Sequence, residues 1–350
     1  MRKADIIKTK PHFQILDGLR GIAALVIVVF HFMEWIFPDA SENPIGHGFL
    51  AVDFFFCLSG FVISYAYDNR IKKMGNLEFF KRRLIRLHPL VILGSVLGLL
   101  AFLFDPFATD SVINEPGKVV LLFFSSLFLI PFPIMEDRYF NLFGLNAPAW
   151  SLFWEYIANV FYALILFRIS RQCILLLALI AAACLGYGNL MGGWNGETFW
   201  HGGARIFYSF LSGLLIHRYN WIIQNRLGFA GLVVLLFLAF IMPHSSWNWL
   251  TEPFVVIIYL PLLVSLGAGA MLSPRFKSVC VFSGKISYPL YMTHYAVIWM
   301  FANYYTNNNP GTVESAFIVI TGTILLVGFA YLVMKFYDIP IRRYLSRVNA

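Results

Sequence analysis

The stretch GIAALVIVVF at residues 21–30 carries no charge and is apolar on every face of a helix. A transmembrane barrel strand would alternate apolar and polar side chains, so this stretch predicts a membrane helix. The whole chain of 350 residues agrees, because it is 59% apolar and only 13% charged. Soluble domains are about 45–50% apolar and about 25% charged. The composition therefore excludes soluble multidomain, disordered and disulfide-stapled proteins.

Apolar runs of bilayer length recur along the chain. Runs of about 17–25 apolar residues are typical of spanning helices, and we predict ten spans, at residues 17–37, 49–67, 87–104, 149–167, 173–189, 203–217, 228–243, 253–272, 286–303 and 315–335. A shorter run, Val119–Pro133, predicts a re-entrant or interfacial hairpin. Because the connections are compact, we expect one integral membrane domain over residues 1–350, an all-α polytopic helical bundle.

Basic residues give the predicted orientation, since cytoplasmic loops are enriched in Lys and Arg. With the N-terminus inside, all but three of the 26 basic residues fall on the inner side, and the exceptions are Lys118, Arg138 and Arg205. We therefore predict that both termini are cytoplasmic and that the protein lies in the cytoplasmic (inner) membrane. A net charge of +8 could suggest a nucleic-acid partner. In a membrane chain the placement of the charges matters more than their sum, so we expect no nucleic-acid partner.

Ionisable residues within spans are energetically costly, so they mark candidate sites. Arg20 and His31 are eleven residues apart on the first span, about three turns and about 16 Å, so their side chains share a face. Alternatively, Arg20 snorkels to lipid phosphates and His31 marks the outer interface. Asp53, in the outer half of the second span, is expected to pair with a cation or with His31. Alternatively, Asp53 is an acidic residue in the first turn of the helix at the membrane interface, where the helix dipole favours a negative charge.

Further charged residues lie near both ends of the predicted bundle. Arg83 and Arg86 are three residues apart at the cytoplasmic end of the third span, and arginine forks suit a polyphosphate. Positive-inside topology would also explain them. Glu155, among aromatic residues in the outer half of the fourth span, is a candidate for proton transfer. Arg205 could bind an oxyanion or pair with Glu155 or Asp53.

The 286–303 span carries the remaining candidates, Tyr288, Tyr291 and His294. His294 makes either a structural hydrogen bond in a packed core or a direct contribution to chemistry. Cysteine and histidine spacings match no metal motif, so no metal is expected. Arginines inside, with a histidine and acids outside, fit an enzyme with a charged cytoplasmic donor and an extracytoplasmic acceptor. They also fit a transporter or flippase of an anionic or glycan-linked solute.

These residues stand in motifs that resemble the acyltransferase-3 family of integral membrane acyltransferases. Arg20, ten intervening residues and His31 are similar to the first-helix motif of that family. The other similar motifs are Val52–Phe61, Arg83 with Arg86, Trp150–Glu155 and Ile286–His294. The resemblance extends from residue 16 to about residue 343. Each motif is weak alone, but five in family order make a strong signal.

The resemblance implies transfer of an acyl group, usually acetyl from acetyl-CoA, to a hydroxyl of a cell-surface glycan or its lipid-linked precursor. It implies that Arg20, Arg83 and Arg86 bind the CoA phosphates. It also implies that His31 acts as the general base. The expected partners are thus an acyl donor, a sugar acceptor and membrane lipids.

The remaining roles follow as hypotheses from the same resemblance. Asp53 or Glu155 would orient the imidazole of the base. Support for the oxyanion or the acceptor is expected from Arg205, Tyr288, Tyr291 and His294. The sequence departs from the family where Tyr156 follows Glu155 in place of a frequent second acid, and where Asp338 replaces a glutamate before proline. We also expect a stand-alone member, without a fused esterase-like domain.

Overall fold

The computed structural model describes residues 13–108, 115–188 and 191–348, and over these ranges the chain is all-α without a β-strand. The helices are α1 Gln14–Ile36, α2 Ala51–Tyr67, α3 Ile71–Met74, α4 Asn76–Phe104, α5 Pro116–Leu127, α6 Ala149–Phe161, α7 Arg171–Gly188, α8 Phe199–Arg218, α9 Gly228–Phe240, α10 Asn248–Phe254, α11 Leu260–Gly269, α12 Pro274–Thr293, α13 Tyr295–Asn308, α14 Thr312–Val333 and α15 Ile339–Val348. Single π-helical turns extend α6, join α10 to α11 and join α14 to α15.

Seven helical segments in the described ranges are long and apolar enough to cross a membrane: Gln14–Ile36, Gly48–Tyr67, Asn76–Phe104, Ala149–Leu166, Arg171–Gly188, Asn248–Gly269 and Thr312–Arg347. They correspond to seven of the ten predicted spans. The polytopic helical character is thus confirmed, and the number ten stays a prediction. The other three predicted spans, at 203–217, 228–243 and 286–303, have identifiable reasons for falling outside this set.

Each of these three spans differs from a long apolar cylinder. The predicted 203–217 span is helix α8, whose sequence includes two arginines and two histidines that lower its hydropathy. Helix α9 has 13 residues, so it rises only about 20 Å. The predicted span 286–303 is divided, because α12 ends at Thr293 and α13 begins at Tyr295. The break places His294 at a helix junction rather than in the middle of a continuous helix.

The short run predicted at 119–133 forms one helix and an irregular return. Helix α5 has 12 residues, about 18 Å of rise, well short of the bilayer core of about 30 Å. After α5 the chain is not helical, and Phe132 donates its N–H to the carbonyl of Leu142 at 2.8 Å. This segment packs on α4.

Two helix pairs form the centre of the bundle, α1 with α12 and α2 with α8. Glycines bring the second pair into backbone contact. A Cβ atom at Gly60 would lie 2.0 Å from the carbonyl oxygen of Phe210, and one at Gly213 would lie 2.0 Å from that of Cys57. Small residues permit such close approach in membrane helices.

The outer surface of the bundle is apolar. Helix α14 exposes Phe317, Ile320 and Ile324, each more than half accessible. A water-facing helix would place polar residues on that side. The apolar surface therefore agrees with a lipid environment, and buried polar residues of α2, α4, α6, α8 and α12 lie inside the bundle.

Candidate active site

The end of α1 carries a histidine–carboxylate pair. Nδ1 of His31 lies 2.5 Å from Oε2 of Glu34, one turn further along the helix. Because a carboxylate only accepts hydrogen bonds, Nδ1 of His31 carries a proton and donates it to Glu34. The His31 side chain is 19% exposed and that of Glu34 is 43% exposed. The pair is therefore fixed in orientation and still reachable from outside the bundle.

A second imidazole stacks on the first. The ring centroids of His31 and His294 are 5.5 Å apart and the ring planes differ by 19°. His294 is fully buried, and its Nδ1 donates to the carbonyl oxygens of Leu290 at 3.1 Å and Tyr291 at 2.9 Å. Its buried Nε2 has no hydrogen-bond partner within the described ranges. The two imidazoles thus lie side by side, each with Nδ1 held by an acceptor.

The loop at residues 135–148 borders this histidine pair. Tyr295 packs its ring edge-to-face on His31 at 4.9 Å between centroids and also contacts Trp299. Arg138 of the loop lies over the Trp299 ring at 4.7 Å from its centroid. Its guanidinium donates to the carbonyl of Gly144 at 2.5 Å. The loop is therefore anchored on α13 directly beside the two imidazoles.

Asp53 is paired with Arg205 in the core. The guanidinium donates from Nε to Oδ1 at 3.2 Å and from Nη2 to Oδ2 at 2.5 Å. The two side chains are 1% and 3% exposed. Nη1 of Arg205 donates to the carbonyls of Met191 and Gly192. This pairing is one of the alternatives that the sequence left open, and it connects α2 to α8.

Glu155 is paired with Arg83. Nη2 of Arg83 lies 2.6 Å from Oε1 of Glu155, and both side chains are at most 10% exposed. Ser59 donates to the same carboxylate oxygen at 2.7 Å, and Asn159 donates to it at 3.3 Å. Among the described residues neither Asp53 nor Glu155 makes a hydrogen bond to His31. The acid that the structure brings to the imidazole is instead the residue three positions away on the same helix.

The three predicted phosphate-binding arginines have different surroundings. Arg20 pairs with Asp17 at 2.8 Å and donates to Ser287 Oγ and to the carbonyl of Gly284. Arg83 forms an ion pair with the buried carboxylate of Glu155 on α6. Arg86 is exposed and lines an open cleft. The Arg-x-x-Arg motif is thus divided, because Arg83 is buried against Glu155 of α6 while Arg86 is exposed.

The tyrosines of the predicted 286–303 span hold α12 to its neighbours. Tyr288 donates its hydroxyl to the carbonyl of Leu87 at 2.7 Å. The hydroxyls of Tyr291 and Ser151 lie 2.8 Å apart, which joins two of the sequence motifs in space. Tyr291 also packs edge-to-face on Phe55. These contacts place α4, α6 and α2 around the helix that ends at the stacked histidine.

Two structural features were not predicted from the sequence. Glu34 lies inside the predicted first span, and its His-x-x-Glu spacing places both side chains on one helical face; this spacing was a usable signal. A network around Asp68 was also missed. Its carboxylate accepts from Tyr162, Ser64 and Arg218 at 2.7 to 3.2 Å. No local pattern announces this second feature, because its members come from distant helices.

Within the described part of the chain, no group of three or more His, Cys, Asp or Glu side chains could hold a metal ion. The four cysteines are free thiols. The side chains gathered at the site carry imidazole, carboxylate, guanidinium and hydroxyl groups. The paired histidine and carboxylate can take up and return a proton, and the buried ion pairs can fix the helices around them.

The class of this multi-pass membrane bundle, with a histidine–carboxylate pair at the end of its first helix, follows from comparison with known proteins. The acyltransferase domain family matches residues 13–335. The chain belongs to the acyltransferase-3 family of integral membrane acyltransferases.

Curated proteins are similar to the chain. Protein 2 in the picA locus of Rhizobium radiobacter is 35% identical over 186 residues, which cover 49% of this chain and 93% of that protein. The O-acetyltransferase OatA of Staphylococcus aureus is 26% identical over 364 aligned positions, which cover 94% of this chain and 57% of OatA. The chain thus spans a little over half the length of OatA. No solved structure matches the chain significantly.

Proposed function

We propose that this chain is an O-acetyltransferase that moves acetyl from cytoplasmic acetyl-CoA to a hydroxyl of a cell-surface or lipid-linked glycan. Membership of the acyltransferase-3 family and the similarity to proteins named O-acetyltransferases support the reaction class. The observation that carries the proposal is the 2.5 Å contact between His31 and Glu34. This contact prepares an imidazole to act as a base.

In the proposed topology the protein lies in the inner membrane. It has ten spans, and both termini are in the cytoplasm. The distribution of Lys and Arg supports this orientation. Arg20 then lies near the cytoplasmic face and His31 near the opposite face, about 16 Å further along α1. The donor phosphates and the acceptor sugar would thus approach from opposite sides of one bundle.

The proposed step is a direct acyl transfer in which acetyl-CoA supplies an acyl carbon activated as a thioester. Nε2 of His31 accepts the proton of the acceptor hydroxyl while the hydroxyl oxygen bonds to the acyl carbon. The carbon–sulfur bond breaks, and His31 returns the proton to the departing thiolate. Glu34 stabilises the imidazolium between these events. His294, whose buried Nε2 has no hydrogen-bond partner within the described ranges, would accept a hydrogen bond from the acceptor.

The other predicted site residues take positioning roles in this proposal. Arg205 and Asp53 hold α8 against α2, and Arg83 and Glu155 hold α4 against α6. Each of these charges has its opposite within hydrogen-bond distance, so we assign none of them to proton transfer. Two-step transfer through an acyl-histidine is the competing route, and rapid-quench labelling of the protein by acetyl would reveal it.

The test compares surface glycans from cells that lack the protein with those from cells expressing wild type, His31→Ala or His201→Ala. His201 lies at the N-terminal end of α8, outside the site. Mass spectrometry should detect acetyl groups with wild type and with His201→Ala, and none with His31→Ala. Full acetylation by His31→Ala would overturn the proposal. Movement of a solute into liposomes without any acyl donor would favour the transporter alternative.

A further inference from the structure

A basic cleft lies between α4 and the last helix, α15. Its volume is about 540 Å³, within the range of about 300–1,000 Å³ typical of small-molecule sites. The polar side chains that line it are Arg82, Arg86, Arg342, Arg343, Ser346 and Arg347, and its lining contains no acidic residue among those that the structure describes. The cleft is therefore a concave surface of one charge sign.

The cleft keeps unneutralised charge. Arg82 is paired with Glu78 at 2.7 Å, and Arg342 is paired with Asp338. Arg86, Arg343 and Arg347 have no carboxylate within ion-pair distance over the described ranges. The positive charges of Arg20, Arg83 and Arg342 act on Arg86 as well. Like charges gathered on one concave surface repel each other, and a bound anion would relieve that repulsion.

The cleft is built by tertiary contacts rather than by one flexible segment. Asp338, 1% exposed, anchors the start of α15 by accepting from Arg342. The hydroxyl of Tyr337 donates to the carbonyl of Pro89 at 3.0 Å, which ties this end of the chain to α4. As a result, Arg343 and Arg347, one turn apart on α15, are held opposite Arg86.

We infer that this cleft binds phosphate groups and that its occupant is the phosphate-bearing nucleotide end of the acyl donor, with α15 as an essential half of the site. The assignment rests on the proposed function. Guanidinium groups bind phosphate oxygens in bidentate fashion, and three free arginines on two helices match several phosphates on one ligand. Arg86 contributes to this site directly, whereas Arg83 acts at a distance through the α4–α6 contact.

An anionic lipid headgroup presents the same phosphate chemistry, so the test must separate the two sources. The protein is purified in detergent, and binding of CoA and of 3′-dephospho-CoA is measured by isothermal titration. Wild type is compared with Arg343→Ala/Arg347→Ala and with Lys277→Ala, which removes an exposed charge on α12 outside the cleft. Native mass spectrometry with added phosphatidylglycerol counts bound anionic lipid for the same three proteins.

The inference expects the double variant to raise the Kd for CoA by at least about tenfold, the effect of losing charge-assisted hydrogen bonds. It expects a smaller loss for 3′-dephospho-CoA, and no change with Lys277→Ala. An unchanged Kd in the double variant overturns the assignment while leaving the proposed function in place. Fewer bound lipids with that unchanged Kd would identify a headgroup site. If wild type itself binds no CoA, the proposed function fails first.

Both arginines of the double variant are exposed, so their removal should not disturb folding. The substitution Ser346→Glu provides a second variant, because it introduces a negative charge into the cleft without removing an arginine. It should also weaken CoA binding. Wild-type affinity in Ser346→Glu would count against the inference.

Discussion

Nδ1 of His31 donates to the carboxylate of Glu34 at 2.5 Å, and the two residues are one helical turn apart on α1. A pair fixed by a single helix needs no other element to hold its geometry. It fixes the orientation of the imidazole, whose ring stacks on that of His294. The proposed base is therefore oriented before any substrate arrives, which lowers the reorganisation needed for proton transfer.

Glu34→Gln tests this orientation. Glutamine keeps the size of the side chain but cannot stabilise an imidazolium by charge, so we expect kcat for acetyl transfer to fall by about 10²- to 10⁴-fold. KM for the acyl donor should stay near the wild-type value. Steady-state kinetics of the protein in liposomes would measure both.

Glu42→Gln is the matched control for that substitution, because Glu42 is an exposed glutamate in the loop after α1. It should leave kcat and the pH–rate profile unchanged. An equal fall of activity in both variants would mean that Glu34 acts through the general charge of this surface and not through the imidazole.

The Asp53–Arg205 pair should behave as a buried ion pair. Removing one partner by Asp53→Asn or Arg205→Met leaves an uncompensated buried charge, and such losses amount to about 3–5 kcal/mol. The double variant should recover part of the stability, because neither charge then remains alone. Thermal unfolding in detergent, followed by tryptophan fluorescence, would measure the three changes as a double-mutant cycle.

The exposed Glu78–Arg82 pair provides the control for that cycle. Its side chains are 37% and 58% exposed, and exposed pairs spaced four residues apart contribute only about 0.3–0.5 kcal/mol. Neutralising either partner there should hardly change the unfolding temperature. A coupling between Asp53 and Arg205 as small as this would refute the buried-pair interpretation.

The contact between α2 and α8 predicts a severe effect of side-chain volume at Gly213. A Cβ atom there would meet the Cys57 carbonyl oxygen at 2.0 Å, and backbone cannot move aside as a flexible side chain can. Gly213→Val should abolish the folded yield or sharply lower the unfolding temperature. Gly328→Val on α14 is the control, since a Cβ at Gly328 meets nothing within 4 Å. Equal tolerance of both would contradict the described packing.

His244, in the loop between α9 and α10, should make the stability of the fold depend on pH. Burial, together with the adjacent His47 ring at 4.0 Å, lowers the pKa of His244 from its ordinary value of 6.5. The unfolded chain therefore takes up a proton at a higher pH than the folded chain does. Folding stability should fall as the pH drops below about 6.5. The stability that comes from the neutral His244 is fully present above that pH.

His244→Asn should reduce this loss of stability. Asparagine can still hydrogen-bond Asn248, as Nδ1 of His244 does at 2.8 Å, but it does not titrate. Unfolding temperatures measured between about pH 7.5 and 5.5 should drop less for this variant than for wild type. His201→Asn should follow the wild-type curve. Parallel curves for wild type and His244→Asn would show that His244 does not contribute.

Several features of the site were predictable because they depend on single residues within a membrane span. A lone charge in an apolar helix must find a partner, so Asp53 and Arg205 could be matched from the sequence alone as one of a few possibilities. The helical spacing of Arg20 and His31 follows from residue number. The same logic would have identified Glu34, since positions three apart share a face.

Other features depended on which helices become neighbours. Glu155 could be recognised as a buried acid, but its pairing with Arg83 depends on how α4 packs on α6. The different surroundings of Arg83 and Arg86 depend on the same contact. The sequence could not separate the two, since both are arginines and either could bind a phosphate. The break at His294 interrupts a run that looks continuous in hydropathy.

The sequence by itself determined the helical membrane class, the set of polar residues that require partners and the family, because these depend on composition and on spacing within one helix. The tertiary structure decided which charge meets which, and it alone formed the cleft between α4 and α15. The physical reason is that a residue's depth and face are local properties of its helix. The choice among several oppositely charged partners is made by side-chain packing between helices that are far apart in the chain.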